Sequence, residues 1–261
     1  MRRAAIAFLA AGLSALVADC PASAKRPAPT KADGAGENGA LTGRFVLFMH
    51  RIGSKPPDAI VFNRDGSCLV EMGGRTGVAG TYRASPDGVF TLTTGKNPQP
   101  ILSGKYQRKK YALRLFPDEP TELFYVRWPL SADKPHPPER EVLGKQTSHS
   151  RFGTMAQELT ADHHFEARAR DLLEEYRVYY EYEMRGTFSY ADGIVTYRPS
   201  FSTALERVDY LRDFVVGRDE KCLWIVDPMI DELTCVTRAS NLDIGPPPAG
   251  WREGPRNQEA H

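Results

Sequence analysis

The sequence predicts a mainly β protein made of two tandem small antiparallel barrel or sandwich units, with one helix before the second unit. Three observations carry this. Gly80-Thr81-Tyr82 followed by Asp87-Gly88-Val89-Phe90-Thr91-Leu92 returns as Gly186-Thr187-Phe188 followed by Asp192-Gly193-Ile194-Val195-Thr196-Tyr197, a supersecondary unit used twice. Leu113, Glu122, Leu123 and Val126 then recur at one constant separation as Leu223, Glu232, Leu233 and Val236. Finally, 20 prolines and 22 glycines punctuate short runs rich in β-branched and aromatic residues, which suits strands and turns better than a helical bundle.

Taken in order, the chain opens with Arg2 and Arg3, an uncharged apolar run over 4–18 and Ala22-Ser23-Ala24 before Lys25. A basic start, a short apolar run and an A-x-A site predict a signal peptide over 1–24, cleaved between Ala24 and Lys25. The run is shorter than the ~20 residues of a spanning helix, and no second run follows, so no transmembrane segment is expected in the mature chain. Leu16-Val17-Ala18-Asp19-Cys20 offers a rival route, lipoprotein anchoring at Cys20, but Asp19 stands where a lipobox wants a small uncharged residue. Residues 25–40 have almost nothing to bury and read as a flexible leader.

The first β domain is expected over 41–130, with strands at 43–49, 59–62, 68–72, 80–82, 89–93, 101–107, 111–116 and 122–127. Asp65-Gly66 and Asp87-Gly88 supply hairpin turns that need positive φ. The polar stretch 131–150, with Pro135, Pro137 and Pro138, reads as a Pro-rich linker. The second domain is expected over 151–242. Phe165, Ala169, Leu172, Leu173 and Tyr176 share one helical face, and Thr154 with Gln157 offers a capping box, so a helix is expected within 154–176. About five strands follow, from the alternating 177–190 to 233–237, fewer than in the first copy. Residues 243–261, with Pro246-Pro247-Pro248, read as a disordered tail onto which Trp251 could add a docking point.

Composition narrows the function classes. Removing 1–24 leaves 32 basic and 32 acidic residues of the 34 and 33 in the full chain, so nothing pulls the mature protein toward nucleic acid or an anionic membrane. No G-x-S-x-G, G-x-x-x-x-G-K-[ST] or H-E-x-x-H motif occurs. Neither a catalytic residue nor a cofactor or metal ligand is assigned. Asp162-His163-His164 with Glu158 is the one local cluster of metal-ligand types, but adjacent helical histidines would point ~100° apart, which favours a solvated helix start. Lys105, Arg108, Lys109, Lys110 and Arg114 make a basic hairpin tip, read as a solvated edge in preference to an anion site.

Cys222 and Cys235 lie on consecutive strands across a turn centred near Met229, a register that would place them opposite each other within reach of a disulfide. An exported chain would meet the oxidising compartment in which that bond persists; two buried thiols are the alternative. The constant repeat offset maps the pair onto Ala112 and Tyr125. Cys68 is left over as a small buried hydrophobe or a reactive thiol.

Leu41-Thr42-Gly43-Arg44-Phe45, the Asn63-Arg64-Asp65-Gly66 hairpin, Gly80-Thr81-Tyr82 and Asp87-Gly88 together resemble bacterial lipocalin-like (calycin-type) domains, mainly over 41–127 with a degenerate copy over 177–238. Those domains open on a Gly-x-Trp strand; Phe45 stands where the tryptophan would be. The resemblance implies an up-and-down barrel able to hold a small apolar ligand and transfers no binding residue. Two functions therefore compete. One is an exported, non-enzymatic interaction, scaffold or inhibitor module with an unknown protein partner. The other is a binder of a small hydrophobic ligand, lined by Phe45, Phe62, Tyr82 and Phe90. Abundant Tyr and Phe favour a filled core and hence the first, with a hydrolytic enzyme as a third, weaker option.

Overall fold

Alternating apolar strands broken by Asp-Gly and Gly turns are closed into two barrels in this computed structural model. It describes residues 41–53, 55–73, 75–95, 99–116, 122–130, 135–150, 153–204 and 207–254 of the 261-residue chain. The expected signal peptide, its cleavage site, Cys20 and the leader lie outside the described residues, as do 131–134 and 255–261. The chain divides between residues 134 and 135 into two units.

In the first unit β1 (Gly43–Leu47) is followed by the three-residue β2 (Met49–Arg51), β3 (Ala59–Phe62), β4 (Ser67–Met72) and β5 (Arg75–Ala84). The unit continues with β6 (Val89–Thr94), β7 (Leu102–Arg108), β8 (Ala112–Leu115) and β9 (Leu123–Arg127). Leaving out β2, these strands form a closed eight-stranded antiparallel barrel, sealed where Val46 of β1 pairs with Val126 of β9. The predicted turns form: Gly66 and Gly88 both take φ of 83°, and the Asp65 carboxylate accepts from the Ser67 amide and hydroxyl.

The second unit opens on a single helical turn, α1 (Glu139–Val142). Then come β10 (Gly144–Ser150), β11 (Gly153–Leu159), β12 (His164–Leu173), the 3₁₀ turn η1 (Glu174–Tyr176), β13 (Val178–Ala191) and β14 (Ile194–Ser202). After β15 (Val208–Arg218), β16 (Cys222–Asp227) and β17 (Glu232–Arg238), the ring closes by pairing Thr147 of β10 with Thr237 of β17. A two-residue strand, β18 (Arg252–Glu253), runs parallel to the start of β13.

Four expectations change here. The second barrel has eight strands, as many as the first, so it is not shortened. The helix expected within 154–176 is absent: 153–159 and 164–173 are strands, and only 174–176 is helical. Phe165 and Ala169 satisfy a two-residue period as well as a four-residue one. The deciding pattern is Phe165, Ala167, Ala169 and Asp171 inward against Glu166 and Arg168 outward. The linker expected over 131–150 ends early, since α1 and β10 occupy 139–142 and 144–150. Finally, the tail expected to be disordered from 243 is held as far as 254. Arg170, its guanidinium paired with Glu181 at 2.5 Å, donates to the carbonyls of Ile244 and Gly245, and the Gly254 amide donates to Tyr179.

The repeat acquires a physical basis. Gly80-Thr81-Tyr82 and Gly186-Thr187-Phe188 both lie on the fourth strand of their barrels, and both Asp-Gly pairs turn the chain into the fifth. A Cβ on Gly80 would strike the carbonyl oxygen of Thr93, and one on Gly186 that of Arg198, so neighbouring strands cross too closely for any side chain. The first strands match as well. Gly43 and Gly144 share φ of 101° and 102°, and each faces an arginine from the eighth strand, Arg127 or Arg238.

Candidate functional site

The interior of the first barrel is filled. Phe45, Phe62, Tyr82 and Phe90, the residues expected to line a ligand site, are all buried and lie against one another. Ring centroids are 5.5 Å apart for Phe45 and Phe62, 4.6 Å for Phe62 and Tyr82, and 6.0 Å for Phe62 and Phe90, each edge-to-face. The Tyr82 hydroxyl donates to the carbonyl of Leu41, itself fully buried, which seals one end of this core. Cys68 faces the same interior across from Gly80, and burial pushes its thiol up to about 11, which leaves it a packing residue with little thiolate character.

The second barrel places hydrogen-bonding groups where the first has hydrocarbon. Gln146 on β10 donates to the Val142 carbonyl, anchoring it to α1. Its Oε1 accepts from Gln157 Nε2 at 3.3 Å, and Gln157 Nε2 also reaches the Tyr197 hydroxyl at 3.2 Å. Tyr197 then donates to Asp213 Oδ2 at 2.7 Å. All four side chains are buried, so each bond forms in a medium where an unmade one costs about 1–3 kcal/mol. A second pair, Tyr182 to Asp171 Oδ1 at 3.4 Å, is buried between β12 and β13.

Asp213 has a neighbour that completes the site. The β15–β16 register pairs Phe214 with Val226, which sets Asp213 opposite Asp227. Asp227 is the last residue of β16 and is 1% exposed. Its Oδ1 accepts from the amides of Met229 and Ile230 at 2.9 and 3.4 Å; its Oδ2 has no hydrogen-bond partner. Burial pushes the Asp213 carboxyl up to about 6. Burial, reinforced by Asp213 and Glu232, pushes that of Asp227 up to about 8, against the pull of the two amides. Burial likewise holds Asp171 well above the usual carboxylate range. Among the described residues the other buried side-chain oxygens without a partner are Ser148 Oγ and Asp171 Oδ2, and all three belong to the second barrel.

None of these residues is read from the sequence as a site: Gln157 is expected to cap a helix and lies instead on β11, and Tyr197 is read only as part of the repeat. The available signal was the repeat itself: an offset of 105 residues maps Leu92 onto Tyr197, putting a phenol at an interior position of the second copy.

The other singled-out residues lie elsewhere. Cys222 and Cys235 are bonded, with Cα atoms 5.2 Å apart. Their register differs from the direct pairing expected: Cys222 faces Thr237 and Trp224 faces Cys235, so the bond is diagonal. The hairpin turns between residues 229 and 230, one step from the expected centre. In the first barrel Leu113 faces Tyr125, whereas Leu223 faces Val236, so the constant offset of 110 does not carry pairing partners from one copy to the other. The residues 158–164 expected at a solvated helix start lie instead on β11, on the turn after it and at the start of β12. His163 lies 3.5 Å from Glu139, His164 is 3.2 Å from Asp162, and Glu158 is 4.0 Å from Lys145. Among the described residues no three His, Cys, Asp or Glu side chains converge as a metal site would require. At the basic hairpin, Arg114 is held by Glu122 at 2.5 Å and Lys110 lies over the Tyr111 ring, while Lys105, Arg108 and Lys109 are exposed.

These features define a protein of two closed antiparallel β-barrels, one with an aromatic and aliphatic core and one whose hydrophobic core also holds a buried hydrogen-bonded chain and buried carboxyls. No family model, curated protein or solved structure matches the chain.

Proposed function

We propose that the protein is an exported, non-enzymatic interaction module of the cell envelope, built on two lipocalin-like barrels. The filled interior of the first barrel carries this reading. An eight-stranded barrel has room for its own side chains or for one small ligand, and here Phe62 and the rings around it take that room. Recognition by the first barrel then falls to its loops and outer surface. The Cys222–Cys235 bond supports export, because such bonds persist in oxidising compartments. Native mass spectrometry of protein purified from its own envelope tests both parts. The expected result is a bare chain beginning at Lys25, together with a specific protein partner retained in a cross-linked pull-down. One lipid held per chain would overturn the interaction reading, and a lipidated Cys20 would replace cleavage after Ala24.

A second reading is favoured by one specific observation. The three partnerless buried oxygens of the second barrel suit a small polar molecule in that interior, in place of the apolar ligand that the lipocalin resemblance implies.

A further inference from the structure

We infer that the second barrel binds a small primary ammonium ion between Asp213 and Asp227, at the end where β16 turns into β17. This rests on the second reading above and names its ligand class. The two carboxyls face each other across neighbouring strands, on the face that carries Ile225 and Val215 into the core. Asp227 is oriented before any ligand arrives, because the Met229 and Ile230 amides hold one oxygen and leave the other without a donor. Tyr197 does the same for Asp213, occupying Oδ2 and being held in turn by Gln157. The titratable groups facing Asp227 are Asp213 from β15, Glu232 opposite it on β17, and Tyr197 from β14 through Asp213. Two of the groups that face Asp227 are acids, and its second oxygen has no donor. An ammonium group brings a positive charge and three N–H donors to such a place, whereas a single water brings two donors and no charge.

The binding step is balanced by one proton. Asp227 is largely protonated near neutral pH, and an arriving ammonium ion favours its carboxylate. The carboxylic proton leaves to solvent as the N–H to Oδ2 bond forms, so affinity rises with pH until that carboxyl is ionised without help.

The probe is methylammonium chloride, compared at equal ionic strength with sodium chloride and with tetramethylammonium chloride, which carries the charge but no N–H. Thermal melting and titration calorimetry are run at pH 6, 7 and 8 on the full mature chain and on its D227N and D213N variants. Methylammonium is expected to raise the melting temperature by about 3 °C at tenfold excess over Kd. Its affinity should climb roughly tenfold per pH unit up to pH ~8, with one proton released per ion bound. D227N should lose both effects. An equal response to all three salts, an undiminished response in D227N, or a pH-independent affinity overturns the inference. If D227N does not fold, D213N replaces it, and the wild-type contrast between methylammonium and tetramethylammonium still decides. Stabilisation by neutral formamide without any by methylammonium overturns the cation while preserving a polar ligand. Stabilisation by neither overturns both.

Discussion

The two barrels share strand order, opening glycine and fourth-strand glycine, yet differ at one connected set of interior positions. Phe45 faces Ile60 in the first as Gln146 faces Gln157 in the second. Leu92 stands where Tyr197 stands, and Gly104, paired with Phe90, stands where Asp213 pairs with Val195. The replacements come as a set because each needs the others: Gln157 satisfies Gln146 and Tyr197, and Tyr197 satisfies Asp213. Changing one alone would bury an unmade hydrogen bond. The scaffold thus tolerates hydrocarbon or a hydrogen-bonded chain at these positions, provided the set changes together.

The comparison is broken most severely by truncating the centre of the first core. Phe62→Ala removes the ring that touches Phe45, Tyr82 and Phe90, and is expected to cost about 3–5 kcal/mol in urea unfolding. A loss under 1 kcal/mol would mean that this interior is loosely packed. Next, replacing both Cys222 and Cys235 with serine should destabilise the second barrel by about 3 kcal/mol, as expected for a bond closing a loop with a separation of 13 residues.

Tyr197→Phe sharpens the comparison by making one position of the second barrel more like the first. It removes the donor to Asp213 and the acceptor for Gln157, and should cost about 1–3 kcal/mol although it only deletes an oxygen. Tyr197→Phe combined with Asp213→Asn should cost less than the sum of the two single changes, which a double-mutant cycle measures.

A further effect is a slope with pH. Asp213 and Asp227 have native pKa values raised above their unfolded values, so the native state binds more protons than the unfolded chain. Their contribution to stability is fully present below pH ~4 and is lost as pH rises, through about 6 for Asp213 and about 8 for Asp227. Each extra native proton sets a slope of about 1.4 kcal/mol per pH unit. In urea titrations Asp227→Asn should flatten the fall between pH 6 and 8. An unchanged slope would remove Asp227 from the account.

Fold and site were legible to different degrees for a shared reason. The first barrel could be read because inward hydrophobic residues alternate with polar ones, as in Phe90 and Leu92 against Thr91 and Thr93. β10 was hidden inside an expected linker because its sequence, Gly-Lys-Gln-Thr-Ser-His-Ser, contains no hydrophobic residue at all. It still forms a strand, with Gln146 and Ser148 buried and Gln146 held by hydrogen bonds to Val142 and Gln157. The property that makes this barrel a candidate site thus erased the period-two signal by which its first strand is recognised. The misread helix has a related origin, because Ala167 and Ala169 are weakly hydrophobic and the alternation of β12 is muted.

The chain order of the closing strands also bears on biosynthesis. Every strand of the first barrel is complete by Arg127, before any residue of β10 has been made. Its strands can therefore pair before those of the second barrel have followed. The second barrel has no such early opportunity. Asp213 cannot face Asp227 until β16 emerges, the ring cannot close until β17 follows, and Arg170 waits for the carbonyls of Ile244 and Gly245. Its facing carboxyls are therefore brought together only after its last strands follow, later than the core of the first barrel.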